Sequence, residues 1–342
     1  MTTHSSSTKN RPSTLDLVAS SAGVSRATVS RVVNGNENVS PETRELVQKH
    51  LKRLGYQPNI LARKLAGGRG NMIALVLEES SEEFFINPFW RSVVEGFMQV
   101  CQANKRNPML FFHQKDESDQ ELINLLVEAQ VDGIAIFGWH RDIRVLDQKI
   151  PKDMAVVFGG NQGASKRFSF VGVDNFKGGK LATQHLIEKG CKKILHLTGS
   201  LDVLSARERV DGYKAALSEA GIKFDSKLII EGDYTTLTAQ KLMKQVIKSK
   251  IDFDGVFAAN DLSAAAVIEE LQSSGIKVPS DVKVIGYDGS AIAESHKPAI
   301  STIAQSPVLL GQKVAEKLMR SLDGETFENE EIEVKLVARE SS

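Results

Sequence analysis

Disulfides, membrane spans and catalytic motifs are what this 342-residue chain lacks. Its two cysteines, Cys101 and Cys191, are too few for a disulfide framework, so a reducing, cytoplasmic compartment is expected. No apolar run approaches the roughly 18 residues of a membrane-spanning helix, and no membrane partner is expected. The opening MTTHSSSTKNR has none of the apolar character of a secretory signal. It reads as a disordered polar arm over 1–12. The seven histidines show no HExxH pair or clustered ligand spacing, so no metal is expected. Gly-x-Ser-x-Gly and Walker patterns are absent too. Lys177-Gly178-Gly179-Lys180 is only superficially phosphate-like, because it falls inside a helical pattern. Paired catalytic carboxylates are not presented. These absences weigh against an enzyme and imply no cofactor.

Charge is present but unevenly spread. The formal net charge is zero, yet residues 1–70 hold 11 Lys and Arg against 4 Asp and Glu. The remainder holds 32 against 39. A basic head on an acidic body localises nucleic-acid binding to the head.

That head carries the most specific pattern in the chain. Residues 14–21 form a helical pattern with Leu15, Val18 and Ala19 on one face. In Ala22-Gly23-Val24 the chain turns, with Gly23 free to take a positive φ. Ser25 is suited to cap a second helix. On that helix Val29, Val32 and Val33 share one face, while Arg26, Ala27, Ser30 and Arg31 share the other. Small side chains let a helix backbone enter the major groove, and arginine matches guanine O6 and N7 in bidentate fashion. The same face also fits a surface helix that merely carries two arginines. Asn34-Gly35 signals a turn, and Ser40-Pro41-Glu42 signals a helix start. The third helix extends to Leu54, before Gly55. A short helical pattern then covers 59–65, and a helix of that length is marginal alone.

Three motifs in this stretch carry a resemblance. They are Val24-Ser25-x-x-Thr28-Val29-Ser30-Arg31-Val32-Val33-Asn34, then Val39-Ser40-x-x-Thr43-Arg44, then Tyr56-x-Pro58-Asn59-x-x-Ala62-x-x-Leu65-Ala66-Gly67. The segment resembles the headpiece and hinge of the lactose-repressor/galactose-repressor family of bacterial transcription factors. By that resemblance Arg26 and Ala27 are base readers and Arg31 a further base contact. Ser25, Thr28 and Asn34 hold phosphates, and Ser30, Asn59 and Ala62 belong to the DNA-binding motifs. Leu65 is a hinge wedge inserted into the minor groove of a palindromic operator, where such a residue unstacks a base step. Read without the upstream motifs, Leu65 is equally a core leucine.

Beyond residue 70 strands and helices alternate. Strand patterns fall at 73–77, 109–112, 133–137, 155–158, 168–173, 194–198, 228–231, 255–259, 282–287 and 333–337. Helical patterns between them include 90–103, 177–188, 206–220, 236–248, 262–273 and 308–321. This alternation implies parallel sheets with right-handed crossovers, and about 270 residues suit two α/β subdomains better than one. The half resembles the periplasmic sugar-binding fold that the same family uses for sensing.

The expected architecture is therefore an all-α helix-turn-helix headpiece plus a periplasmic-binding-protein-like α/β domain. The headpiece covers 13–57 and the hinge helix and linker 58–70. The effector and dimerisation domain covers 71–342. Its N-subdomain is about 71–173 with 304–332, and its C-subdomain about 174–303 with 333–342. Only three residues follow the last family strand, so a homodimer rather than a coiled-coil tetramer is expected.

Ligands of open α/β sheets bind at strand C-termini. Arg209 follows the strand at 194–198, Asn260 the strand at 255–259, and Asp288 the strand at 282–287. The resemblance assigns all three, with Tyr234, to the effector pocket. Arginine forks bind two hydroxyls, and amides and carboxylates satisfy others. Taken singly, Asn260 and Asp288 fit loop caps, Arg209 fits an ion pair with Glu208 or Asp211, and Asp261 fits the cap of the next helix. Phe89 and Trp139 follow the first and third strands and supply apolar walls, although both fit a plain core. Two departures from the family pattern touch the pocket rim. Glu78 to Ile86 lengthens the connection after the first strand, and Asp288-Gly289 replaces a common Asp-Asp. The expected ligand is a mono- or oligosaccharide. A purine or a phosphoprotein corepressor is the alternative on the same scaffold. A transport sugar-binding protein would instead carry a signal peptide and no basic head.

Overall fold

A computed structural model describes residues 14–33, 38–56, 70–139, 141, 143–160, 167–325 and 328–342. The chain divides into two compact units between Gly70 and Asn71.

In the first unit three helices, α1 (Leu15–Ala22), α2 (Arg26–Val33) and α3 (Pro41–Arg53), enclose a small core. Val18, Ala19, Ala22, Val29, Val32 and Val47 are buried in it, and Val33 packs partly against it. The sequence explains the boundaries. Thr14 Oγ1 accepts the Leu17 amide to cap α1, and Gly23 ends it at φ 65°. Ser25 Oγ accepts the Thr28 amide at 3.1 Å, and Ser40 Oγ accepts the Thr43 amide at 3.3 Å. Each cap satisfies an N–H that the helix itself leaves unpaired.

The second unit contains two six-stranded sheets. The chain runs through β1 (Met72–Leu77), α4 (Ser81–Ile86), α5 (Pro88–Ala103), β2 (Asn107–Phe112), α6 (Asp119–Glu128), β3 (Gly133–Phe137), α7 (Ile143–Lys149), β4 (Ala155–Gly159) and β5 (Ser169–Val173). It crosses to the second sheet through α8 (Asn175–Glu188), β6 (Ile194–Thr198), α9 (Leu204–Glu219), β7 (Ile229–Glu231), α10 (Thr236–Lys248), β8 (Gly255–Ala258), α11 (Asp261–Ser273), β9 (Lys283–Asp288), α12 (Ala291–Ser295) and β10 (Ser301–Ala304). It returns with α13 (Pro307–Leu322) and β11 (Glu330–Ile332), then ends in β12 (Lys335–Val337).

Strand order is β11-β5-β4-β3-β1-β2 in one sheet and β12-β10-β9-β8-β6-β7 in the other. Every pairing is parallel except β10 with β12. Three connections therefore join the sheets, after β5, after β10 and after β11. Apolar runs such as MIALVL in β1 and GIAIF in β3 are buried because helices cover both faces.

The structure corrects several sequence expectations. Of the run 333–337 only Lys335–Val337 is a strand, β12 beside β10, and a separate strand just before it, β11, pairs with β5 in the other sheet. The strand β10, S-T-I-A, has no strong apolar signature, yet it lies beside β9 with Ser301 opposite Ile285. The lengthened connection after β1 contains the helix α4, whose start is capped by Ser80 Oγ accepting the Glu83 amide. Gly178 and Gly179 lie inside α8, as the helical pattern implies. A Cβ on Gly179 would meet the Arg209 carbonyl oxygen at 2.2 Å, so this glycine lets α8 and α9 touch backbone to backbone. Among the described residues, no helix is long and apolar enough to cross a membrane.

Candidate DNA-binding and effector sites

The headpiece presents its small, basic face outward. Ser25, Arg26, Ala27 and Arg31 are exposed, and Thr28 and Ser30 are half-buried. Burial of Val29 and Val32 against α1 and α3 dictates this, because residues on the opposite side of an eight-residue helix are left to solvent. Arg26 is 68 % exposed, and its Nε lies 3.7 Å from Asp16 Oδ1, a screened surface pair that a phosphate or base can displace. Asn34, Asn59, Ala62 and Leu65, with the arm at 1–12 and nearly all of the hinge at 58–70, lie outside the described residues.

In the second unit Phe89, Trp139, Arg209, Tyr234, Asn260 and Asp288 all line one cavity between the two sheets. It encloses about 170 Å³, against the ~10–15 Å³ that one water needs, so it admits a small organic molecule. The topology explains its place. Neighbouring strands β1 and β3 lead in opposite directions around their sheet, and so do β6 and β8 in theirs. Crevices open at such reversals, beyond the strand C-termini. Glu79 and Trp139 come from the first crevice, Ser205 and Asn260 from the second.

Arg209 rises from the first turns of α9 and is buried. Its Nε donates to Asn175 Oδ1 at 3.0 Å and its Nη1 to the Ala259 carbonyl at 2.7 Å. The guanidinium is thus held by neutral acceptors. Of the two suggested ionic partners, Glu208 accepts from Asn175 Nδ2 at 3.3 Å and Asp211 lies 3.4 Å from Lys214 Nζ.

Asn260 Oδ1 accepts the Ser263 amide at 2.8 Å and caps α11, while its Nδ2 donates to the Tyr234 carbonyl at 3.0 Å. The expected cap, Asp261, has a different task. As the first helical residue, it points back to accept Thr302 Oγ1 at 2.6 Å and the Ser290 amide at 2.7 Å.

Asp288 ends β9 with φ 108°, a conformation that turns its side chain into the cavity. Burial pushes its carboxyl above the usual range, the nearby Asp261 adds to this, and Arg209 opposes it. Gln305, in the connection after β10, donates its side-chain amide to Asp288 Oδ1.

The aromatic residues have two roles. Phe89 meets Trp90 edge-on at 5.1 Å, and both pack against the core as well as lining the cavity. Trp139 is 2 % exposed and stacks on His113 with ring centres 5.9 Å apart. Its Nε1 and the Tyr234 hydroxyl are buried without a hydrogen-bond partner. Buried donors of this kind are costly unless something accepts from them, and here both belong to cavity-lining residues.

Sequence reasoning missed Glu79, Asn175, Ser205 and Gln305 as cavity-lining residues. Asn175 and Gln305 lie at the start of connections between the sheets, and nothing in their local sequence marks that location. Glu79 lies in the lengthened connection after β1, which was the available signal.

Residues 14–59 match the model for bacterial regulatory proteins of the lacI family, and residues 183–342 match a periplasmic binding protein-like domain. The HTH-type transcriptional regulator CelR of Thermobifida fusca is 36 % identical over 337 residues, spanning 97 % of this chain and 99 % of that protein. A solved CelR–cellobiose complex superimposes with a TM-score of 0.75 at 36 % identity, covering 97 % of this chain and 100 % of that one. The lac repressor dimer bound to operator and an anti-inducer superimposes with a TM-score of 0.82 at 26 % identity, covering 97 % and 99 %. The relatives are transcriptional regulators, not enzymes, and the headpiece and the near-full-length identity together show that this chain belongs to the LacI family of DNA-binding transcriptional regulators.

Proposed function

We propose that this protein is a cytoplasmic, homodimeric repressor of carbohydrate uptake or catabolism genes, released from a palindromic operator by a saccharide bound in the cleft. The observation that carries this reading is the composition of the cavity. Aromatic walls from Phe89, Trp90 and Trp139 stand beside Arg209, Asn260, Asp288 and two unsatisfied donors, Trp139 Nε1 and Tyr234 Oη. Apolar ring faces with convergent donors and acceptors suit a ligand whose faces are C–H and whose edges are hydroxyl. The cellobiose bound to CelR supports a glycan, and the lac repressor dimer on its operator supports the assembly.

On this reading two headpieces contact successive half-sites through Arg26, Ala27 and Arg31. The hinges carry Leu65 into the minor groove between them. The ligand acts by binding the released form more tightly than the operator-bound form, since only differential affinity shifts an equilibrium. The test uses the full-length protein on an operator selected from randomised palindromes. Addition of mono- and oligosaccharides is expected to release the DNA. If none alters operator affinity while purines or a phosphoprotein do, the saccharide reading is wrong.

A further inference from the structure

The charge inventory of the cavity goes further than its shape. Among the described residues one cation lines it, Arg209, with two of its nitrogens already donating to Asn175 and Ala259. No lysine lines it. Two carboxylates do, Asp288 from the second sheet and Glu79 from the first. Glu79 Oε1 accepts the Ser80 amide at 2.9 Å, and the Trp90 side chain also hydrogen-bonds this carboxylate. It is thereby oriented by the same connection that lengthens the rim. Asp233, beside Tyr234, is close enough to Glu79 and to Glu83 on α4 to disfavour the ionisation of both, and Glu79 disfavours that of Glu83. Acids from both lips thus face one another at the entrance. The donors left over are neutral: Trp139 Nε1, 98 % buried by residue, and the Tyr234 hydroxyl. The start of α9, beside Ser205, has no side-chain cap and contributes roughly half a positive charge at most. Burial raises both carboxyls, that of Asp288 to about 8, so near neutral pH the negative charge that meets a ligand comes from Glu79 and the acidic entrance rather than from Asp288.

We propose that Glu79 is a specificity-determining effector contact, accepting ligand hydroxyls and, with the acidic entrance, excluding anionic ligands. The effector is an uncharged polyhydroxyl compound, an unphosphorylated saccharide, and not a sugar phosphate or sugar acid. This rests on the saccharide reading above and narrows it. A carboxylate gains a charge-assisted hydrogen bond from each hydroxyl, whereas a ligand phosphate placed beside Glu79 meets like charge.

The experiment is thermal shift and calorimetry on the full-length protein with matched pairs: glucose with glucose 6-phosphate, and cellobiose with cellobiose 6-phosphate, extended to galactose and lactose. A neutral sugar is expected to bind at least tenfold more tightly than its phosphate. Glu79→Gln, which keeps the shape, is expected to lower neutral-sugar affinity about tenfold and to narrow the discrimination against phosphate. Glu82→Gln, on the same connection but outside the cavity lining, is expected to bind as wild type does. If a sugar phosphate binds as tightly as its neutral partner, the inference is overturned while the saccharide reading stands. If Glu79→Gln keeps wild-type affinity and discrimination, the assignment of Glu79 is overturned. If neither class binds, the saccharide reading fails and this inference with it.

Discussion

Arg209 and Tyr287 are stacked, with the guanidinium carbon 3.6 Å from the centre of the phenol ring. The contact joins α9 to the end of β9, next to Asp288. A buried cation is held here by a π face and neutral oxygens, so its fork is aligned before any ligand arrives. Arg209→Lys keeps the charge and loses the fork. Ligand at a hundredfold excess over Kd stabilises the wild type by about 2.7 kcal/mol. The variant is expected to lose nearly all of that shift while still binding operator. A variant that loses operator binding with its fold intact would remove Arg209 from the effector site.

Asp288 supplies a pH signature. Burial raises its carboxyl above the unfolded value, so the folded form holds a proton that the unfolded chain has released. This contribution is complete below the unfolded value of about 3.9 and is lost as pH rises through the folded one. Asp288→Asn cannot titrate and retains an acceptor for Gln305. Its melting temperature relative to wild type is expected to rise with pH from about 4 upward. A pH-independent difference would contradict the assigned burial effect.

Helix α5 crosses α13 at two glycines. A Cβ on Gly96 would lie 1.9 Å from the Val308 carbonyl oxygen, and one on Gly311 would lie 2.0 Å from that of Val93. Both obstacles are backbone, which moves only with the helix. Gly96→Ala or Gly311→Ala is expected to destabilise the second unit by roughly 1–3 kcal/mol or more in chemical denaturation. An effect near zero would mean that the helices separate freely.

Lys115 Nζ, beyond β2, lies 2.8 Å from Asp202 in the loop ahead of α9, joining the two lips of the cleft. Both side chains are about 70 % exposed, so the pair is weak and screened by salt. Lys115→Glu is expected to weaken ligand binding modestly at low ionic strength and hardly at all at high salt. Adding Asp202→Lys restores it. A salt-independent loss would point to a distorted cleft instead.

In the headpiece, Arg26→Ala is expected to relax base preference at one operator position by about 1–3 kcal/mol, read by randomised-operator selection. Leu65→Ala is expected to weaken specific binding more than non-specific binding. An unchanged specificity ratio would exclude the wedge role.

The helix-turn-helix pattern was legible because its determinants are local. Ser25 and Ser40 cap helices three residues away, Gly23 turns between two helices, and valines at helical spacing make a small core. The alternation of buried strands and helices was legible for the same reason. Arg209, Asn260 and Asp288 could be picked out because the family resemblance assigns them and each follows a strand pattern. The cap of α11 was misassigned between Asn260 and Asp261, because the partners of Asp261, Thr302 and Ser290, are 41 and 29 residues away.

By itself, then, the sequence determined most of the elements and the outward face of the reading helix, which follow from periodicity and neighbours within a turn or two, while the family followed from the resemblance of its motifs. Only the tertiary structure decided which polar groups share the cleft. The chain passes between the two sheets three times, bringing Glu79, Asn175 and Gln305 beside Arg209 and Asp288 from distant stretches of sequence. Burial there then sets the charge balance of the cavity. Low polarity raises the carboxyls of Glu79 and Asp288 and leaves the donors of Trp139 and Tyr234 without partners, an environment that no local pattern encodes.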